Sequence, residues 1–585
     1  MKKFMLISAI CTLVILIANS GMTAAWPPSG FTEQTADQNT TFPATVATDV
    51  AVLAPLPKSF PSHPAACDTL HFLRIHHVNG PVNPSNADAI LIAQPGILEG
   101  ASAFYNVAAN LVTRAHNEKG KFVEFWAIDR RSNCLEDNNG IRLARSTGNP
   151  YDFIDYYYRH KAYKGQKFNG FLNPNKDAKW LAEMGMAQTV IDWNEIVMRG
   201  IPSQSVRQQK VYLGGHSLGG FITGAYASWD FGGKKLATDA GYNQCAGFFG
   251  LDTTVTAEPM DPISATSLLI SVLGTSVYGS LFPNGLGANA DSVLASTLNS
   301  TIVAMLRSGS LERFVSVPGI INPEIMNLLT GIGMIAAVQP TAESKAISYL
   351  PANLNVNLCE RFYESQNMDD FLALKPKLTK IRYTNQALLG VFMDNDSMPF
   401  FFIKTGVGFF TGGSVADKDF PFSAAEASTD PTLAMMFGTK PLAIPTEENG
   451  PLYGWLNYNQ IPGATIPNSS LGTPYTDASV EVTDINDLAR SVGALPLNFT
   501  EYHFPIRLAV DPSIGGYSGL VYADGPSKRP ILNIKAGESP MVSALTPGEP
   551  VIAGYHHLDV LTAAPVQNDG MPEGVTTELL NFIFQ

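Results

Sequence analysis

Lys210-Val211-Tyr212-Leu213-Gly214-Gly215-His216-Ser217-Leu218-Gly219-Gly220 runs from a short apolar stretch into a serine set among glycines, and residues 221–226 continue it with helix-compatible sequence. Gly-x-Ser-x-Gly in this setting has a mechanical meaning. A sharp strand-to-helix turn needs small residues two before and two after the nucleophile, because the chain nearly touches itself there. Such a turn strains the serine backbone and lifts its hydroxyl above the sheet edge. The helix that follows points its N-terminus at the reacting oxygen, which favours developing negative charge. Ser217 is therefore the candidate nucleophile, and the Leu218 N–H is a candidate oxyanion donor.

The pattern extends outward from that turn. Leu70-His71-Phe72-Leu73-Arg74-Ile75-His76-His77-Val78 alternates as a half-exposed strand does. Ala89-Ile90-Leu91-Ile92-Ala93 is short and wholly apolar, as a buried parallel strand is. Residues 102–118 read as a helix, Phe122-Val123-Glu124-Phe125-Trp126-Ala127-Ile128 as a strand, and 179–197 as a helix. Strands alternating with helices imply a parallel sheet covered on both faces. After about residue 259 the alternation stops: apolar helical stretches at 264–281, 291–306 and 325–338 give way to sequence rich in Phe, Gly and Pro. It resumes with Pro530-Ile531-Leu532-Asn533-Ile534-Lys535 and Pro550-Val551-Ile552-Ala553. The expected organisation is an irregular N-terminal arm (26–69), a first core part (70–259), a large, mainly helical lid or cap insertion (260–500) and a C-terminal core part (501–585).

Met1-Lys2-Lys3, the apolar run 4–18 and the small residues ending Thr23-Ala24-Ala25 predict an export signal at 1–25. The run is shorter than the roughly 20 apolar residues that span a bilayer. The expected location is periplasmic or extracellular, with no stable transmembrane anchor. Beyond Cys11, inside that run, stand Cys67, Cys134, Cys245 and Cys359. An even number in an oxidising compartment points to disulfides, and three pairings are open. Of the 585 residues 45% are apolar and 15% charged, which excludes wholesale disorder. Lys plus Arg total 38 against 51 Asp plus Glu, a balance of −13 with no basic run, so a nucleic-acid partner is excluded.

A general base is expected after the last strand, where the only histidine cluster is Tyr555-His556-His557-Leu558-Asp559. Gly-His-Ser-Leu-Gly-Gly together with Tyr-x-His-Leu-Asp resembles the α/β-hydrolase superfamily, specifically its secreted lipases and esterases, over about 70–260 and 500–585. The resemblance implies an α/β-hydrolase fold, a mostly parallel central sheet with helices on both faces. It implies that the histidine directly before Leu-Asp is catalytic, which maps to His557, with His556 a neighbour and Asp559 a loop anchor. The family places its acid after the sixth or the seventh strand. Gly250-Leu251-Asp252 is similar to the Gly-Leu-Asp of some secreted lipases, and Ala536-Gly537-Glu538-Ser539-Pro540 offers a carboxylate one place early. Asp252 and the alternative Glu538 both stay open. By resemblance to the family's donor loop, the second oxyanion amide is that of Ile97 in Gly96-Ile97-Leu98, with Gln94 in place of a frequent histidine.

Other signals carry less. Asp394-Asn395-Asp396 lacks the glycine and distal glutamate of a calcium loop and reads as a polar turn. His76 and His77 are neighbours on a strand and point to opposite faces, so they share no metal. Asp129-Arg130-Arg131 reads as an ion-paired loop near the mouth of the site, and Thr500-Glu501-Tyr502-His503 as the return from the insertion, without chemistry. The expected function is an exported serine esterase or lipase that cleaves a small-molecule or lipid-like ester without metal or cofactor. A secreted peptidase and a catalytically dead, hydrolase-like binding module are the alternatives.

Overall fold

Among the described residues nine strands join in one sheet, in the order β1-β2-β3-β5-β4-β6-β7-β13-β14. The structure is a computed structural model that describes residues 26–35, 41–258, 292–375, 378–514, 518–544 and 546–585. The expected export signal and the helical stretch 264–281 lie outside the described residues. The first strands are β1 (Phe31–Thr35), β2 (Thr45–Leu53), β3 (Thr69–His77), β4 (Ala89–Gln94), β5 (Val123–Asp129), β6 (Val211–His216) and β7 (Gly247–Leu251). Within the insertion lie β8 (Arg382–Tyr383), β9 (Gly408–Thr411), β10 (Val415–Lys418), β11 (Leu442–Pro445) and β12 (Leu452–Asn457). The main sheet closes with β13 (Ile531–Ala536) and β14 (Val551–Ile552). β3 is antiparallel to both its neighbours, and in this main sheet every pairing along the order from β5 to β14 is parallel. This is the α/β-hydrolase fold.

The apolar runs are buried because both faces of the sheet are covered. Every residue of β4 and β5 is buried. Along β4 the side chains alternate, Leu91 and Ala93 entering one core and Ile90 and Ile92 the other. Helix Tyr105–Lys119 packs on the first side; helices Met186–Gly200 and Leu218–Ser228 pack on the second. Glu124, near the start of β5, is matched by Arg74 on β3, whose Nε and Nη2 donate to its carboxylate at 2.9 and 2.6 Å.

Residues 26–69 correct the expectation of an irregular arm: they supply β1 and β2, which extend the sheet antiparallel beyond β3. Thr45-Val46-Ala47-Thr48-Asp49-Val50 buries threonines as well as aliphatics, so hydropathy alternates weakly although the backbone alternates fully. The buried Thr48 hydroxyl donates to Glu33 on β1 at 2.7 Å.

Between β7 and β13 the chain builds helices Ser292–Ser308, Pro323–Val338, Leu354–Glu364, Asn385–Met393 and Ile485–Gly493, with two small sheets, β10-β11 and β8-β12-β9. Asn322 caps helix Pro323–Val338, its side chain accepting the N–H groups of Glu324 and Ile325. From Pro323 to Ala336 every residue of that helix but Glu324 is buried, so it forms a core rather than a surface layer. Asp394-Asn395-Asp396 forms the expected polar turn, and it is buried. The Asp394 carboxylate accepts the Asp396 and Val407 N–H groups, which compensates for its loss of water. Among the described residues no helix is long and apolar enough to cross a membrane.

Cys67 and Cys134 form a disulfide across 67 residues of chain, and Cys245 and Cys359 are buried free thiols. Closing a loop of that length removes chain entropy from the unfolded state worth about 4 kcal/mol. Cys134→Ser is expected to lower the midpoint of urea unfolding by a corresponding amount. An unchanged midpoint would show that the bridge adds nothing.

Candidate active site

Ser217 sits at φ +53°, ψ −119°, between the last residue of β6 and the first of helix Leu218–Ser228. A non-glycine residue in that region is strained by roughly 1–3 kcal/mol and persists only where its surroundings over-determine it. Here they do. A Cβ on Gly215 would stand 2.6 Å from the Gln94 carbonyl oxygen and 2.7 Å from the Gly219 backbone, and one on Gly219 would press on the same carbonyl. The two glycines of the motif thus let the turn close against the end of β4. The Ser217 N–H donates to the Leu251 carbonyl at 3.2 Å, pinning the turn to β7 as well.

The sheet register sets the next contact. His216 on β6 is paired with Leu251 on β7, so Ser217 and Asp252 leave adjacent strand ends together. Asp252 is fully buried; its N–H donates to the Ile534 carbonyl at 2.8 Å and its Oδ1 accepts the Ala536 N–H at 3.0 Å. Its Oδ2 lies 2.5 Å from Nδ1 of His557. Burial pushes the Asp252 carboxyl up, but the hydrogen bond and charge of His557, with hydrogen bonds from Ser539 and Ala536, leave it below the ordinary carboxylate value. Burial, then the neighbouring His216, hold the His557 imidazole below its ordinary value against the opposing pull of Asp252 and Glu99.

Of the two candidate acids, only Asp252 meets the histidine. Glu538 is turned to the surface, where Lys440 donates to it at 2.9 Å. Ser539, the residue after Glu538, hydrogen-bonds Asp252. His556 is buried with its Nδ1 3.2 Å from Asp559. Asp559 is the loop anchor, its carboxylate accepting the N–H groups of His556 and Gly406 and the Thr483 hydroxyl.

Ile97 lies on the loop after β4, which packs directly on the serine: a Cβ on Gly96 would stand 2.9 Å from Cβ of Ser217. Arg130 holds that loop, donating to the carbonyls of Pro95, Gly96 and Glu99. Glu501, fully buried, anchors Arg130 with its Oε2 2.7 Å from Nε. The ion-paired loop expected from Asp129-Arg130-Arg131 is present: Arg131 pairs with Asp192, and the partner of Arg130 sits in the return segment that carried no expected role. Glu99 and His216 are further buried groups that the sequence reading passed over. His216 was the variable position of the motif, and Glu99 had no local signal. Ligand atoms of Glu99, His216 and His557 lie within 4.8 Å of one another, a spacing a metal could use. Both His216 nitrogens and Nδ1 of His557 are already hydrogen-bonded within the protein, so the donor set does not fit an ion.

An apolar pocket opens beside Ile97 and Leu558 and is walled by insertion residues, among them Ile325, Met326, Leu329 and Phe402. Phe401 brings the same insertion against His557, with ring centroids 5.3 Å apart.

No protein-family model matches the chain, and no curated protein matches it. Solved structures do. A peroxisomal alpha-beta-hydrolase from Saccharomyces cerevisiae is 17% identical over 49% of this chain and 63% of its own, with a TM-score of 0.20. An acetyl xylan esterase from Paenibacillus sp. R4 is 9% identical over 48% of this chain and 68% of its own, with a TM-score of 0.25. A juvenile hormone epoxide hydrolase from the silkworm Bombyx mori is 13% identical over 56% and 57%, with a TM-score of 0.20. The chain thus covers less than two thirds of the first of these proteins. Likeness this distant carries no functional weight; the fold class rests on the strand order and the turn at Ser217.

Gly219→Ala forces a methyl onto the Gln94 carbonyl, and overpacking of this kind costs about 1–3 kcal/mol. The expected result is a lower unfolding midpoint together with slower labelling of Ser217 by a serine-directed phosphonate. Labelling at the wild-type rate would contradict the need for glycine there.

Proposed function

We propose that the chain is an exported serine hydrolase of carboxyl esters. The observation that carries this is the buried Asp252–His557 pair, 2.5 Å between Oδ2 and Nδ1, at the strand ends that also present Ser217. In this reading Ser217 attacks the ester carbonyl and His557 takes its proton. Asp252 fixes the tautomer with Nδ1 protonated and stabilises the imidazolium that forms. The Leu218 and Ile97 amides hold the tetrahedral oxyanion. The alcohol leaves with the proton from His557, and water activated by the same histidine then releases the acid from the acyl-enzyme. The apolar pocket beside Ile97 and Leu558 favours an aliphatic or aromatic acyl group. Export is supported by the Cys67–Cys134 bridge, a bond that persists in oxidising compartments.

The test is hydrolysis of p-nitrophenyl esters from acetate to palmitate. Ser217→Ala is expected to abolish turnover, Asp252→Asn to lower kcat by about 10⁴, and Glu538→Gln to leave it within about twofold. Turnover that survives Ser217→Ala, or a Glu538→Gln loss as large as that of Asp252→Asn, would overturn the assignment.

The pH dependence follows from His557. The base must be neutral, and its folded-state value lies below the ordinary imidazole value of 6.5. Activity is therefore expected to hold as pH falls through 6.5 and to be lost only below it. A kcat/KM midpoint above 6.5 would contradict this.

A further inference from the structure

Glu99 and His216 stand on the two elements that carry the reacting groups, and both are at least nine-tenths buried. Glu99 closes the donor loop after β4: its Oε2 accepts the Gly96 N–H at 2.6 Å. Its Oε1 lies 2.6 Å from Nδ1 of His216, the residue before the nucleophile. On the other side of the ring, Nε2 lies 2.9 Å from the backbone carbonyl of His557. A carbonyl oxygen only accepts, so Nε2 carries a proton. Nδ1 faces a carboxylate whose other oxygen already accepts a backbone N–H, and a proton there completes the imidazolium. The chain Gly96 N–H, Glu99, His216, His557 carbonyl thus crosses behind Ser217 without a break.

We infer that Glu99 and the His216 imidazolium form one ionic clip that holds the donor loop and the His557 loop at a set spacing, making both positioning residues for the reaction proposed above. This rests on the serine-hydrolase reading. Neither residue touches the scissile bond. The clip acts on where the Ile97 amide and the His557 ring stand, and on the charge of that ring. The two imidazoles have centroids 4.4 Å apart. Burial first and the charge of His216 next lower the His557 value, so the base stays neutral at rest. The other groups facing His557 are Asp252 from the end of β7 and Glu99 from the donor loop, both anionic, and the neutral Phe401 from the insertion. His216 itself is faced by Glu99, Asp252 and the His557 carbonyl, all of which favour its charged form against burial.

The test uses the full chain and its His216→Gln, Glu99→Gln and doubly substituted variants, with p-nitrophenyl butyrate as substrate and Ser217→Ala as reference. His216→Gln is expected to lower kcat about 10- to 100-fold, the cost of a reacting group displaced by about 1 Å, with KM within about threefold. It is also expected to raise the midpoint of the acid limb of kcat/KM, because the cation beside His557 is gone. Glu99→Gln keeps an acceptor for Gly96 and loses the counter-charge, and is expected to lower kcat as well. The double variant is expected to lose no more than the worse single one, because the two act as a unit. Nitrogen-15 NMR of labelled histidine in the wild type reads the clip without reference to activity: His216 is expected to remain doubly protonated at pH 6.5, the ordinary imidazole value, because its pKa is raised. A Ser217-dependent enzyme whose acid limb does not move in His216→Gln, or whose double variant is additive, overturns the clip alone; so does a neutral His216 ring. Turnover that survives Ser217→Ala overturns the reading of the reaction, and the positioning role with it.

Discussion

The backbone of Ser217 is held where a serine would not go on its own, and the rest of the site is arranged around that turn. A β-strand cannot pass into a helix at one residue unless the flanking positions let the chain fold onto its neighbour. Gly215 and Gly219 do so by leaving room for the Gln94 carbonyl. Strain of about 1–3 kcal/mol is sustained because β4 and β7 grip the turn from both sides. Parallel strands end on one edge of the sheet, so the donor loop from β4, Ser217 from β6 and Asp252 from β7 arrive together. The His557 loop follows β14 and is brought back to that edge.

The insertion is more than a cover over this edge. Its return segment pairs with the donor loop: Gly100 N–H bonds to the Phe499 carbonyl, and Glu501 N–H to that of Leu98, both at 2.8 Å. Glu501 then anchors Arg130, which holds the carbonyls of the same loop. On the opposite side the Leu558 N–H donates to the Lys404 carbonyl, and Asp559 accepts the Gly406 N–H. Both loops that flank Ser217 therefore depend on insertion residues for their placement. Three buried carboxylates, of Asp559, Asp394 and Glu481, meet the N–H groups of Gly406, Val407 and Gly408 in turn. These side-chain acceptors satisfy the backbone donors of the stretch that leads into β9.

Local signals made much of this readable. The strands β4, β5, β6 and β13 follow from apolar runs of the right length, β3 from its alternation, and the turn at Ser217 from glycine spacing. His557 followed from its place after the last strand and its resemblance to a known motif. β1 and β2 were missed because Thr45 and Thr48 are buried although polar, so the two-residue period hardly shows in hydropathy. Glu99, Arg130 and Glu501 are ordinary charged residues in loops. Nothing adjacent to them in sequence marks them as partners, since Arg130 and Glu501 are 371 residues apart.

The amino-acid order by itself determined the α/β core, the large insertion and the strand-to-helix turn at Ser217, because each depends on periodicity or spacing within a few residues. It left Asp252 and Glu538 equal, since both are carboxylates just past a strand. Only the tertiary structure separated them. The register of β6 on β7 carries Asp252 to the His557 imidazole, while Glu538 turns outward to Lys440. Which carboxylate is dry and which is wet is a property of strand pairing across hundreds of residues, and no local pattern encodes it.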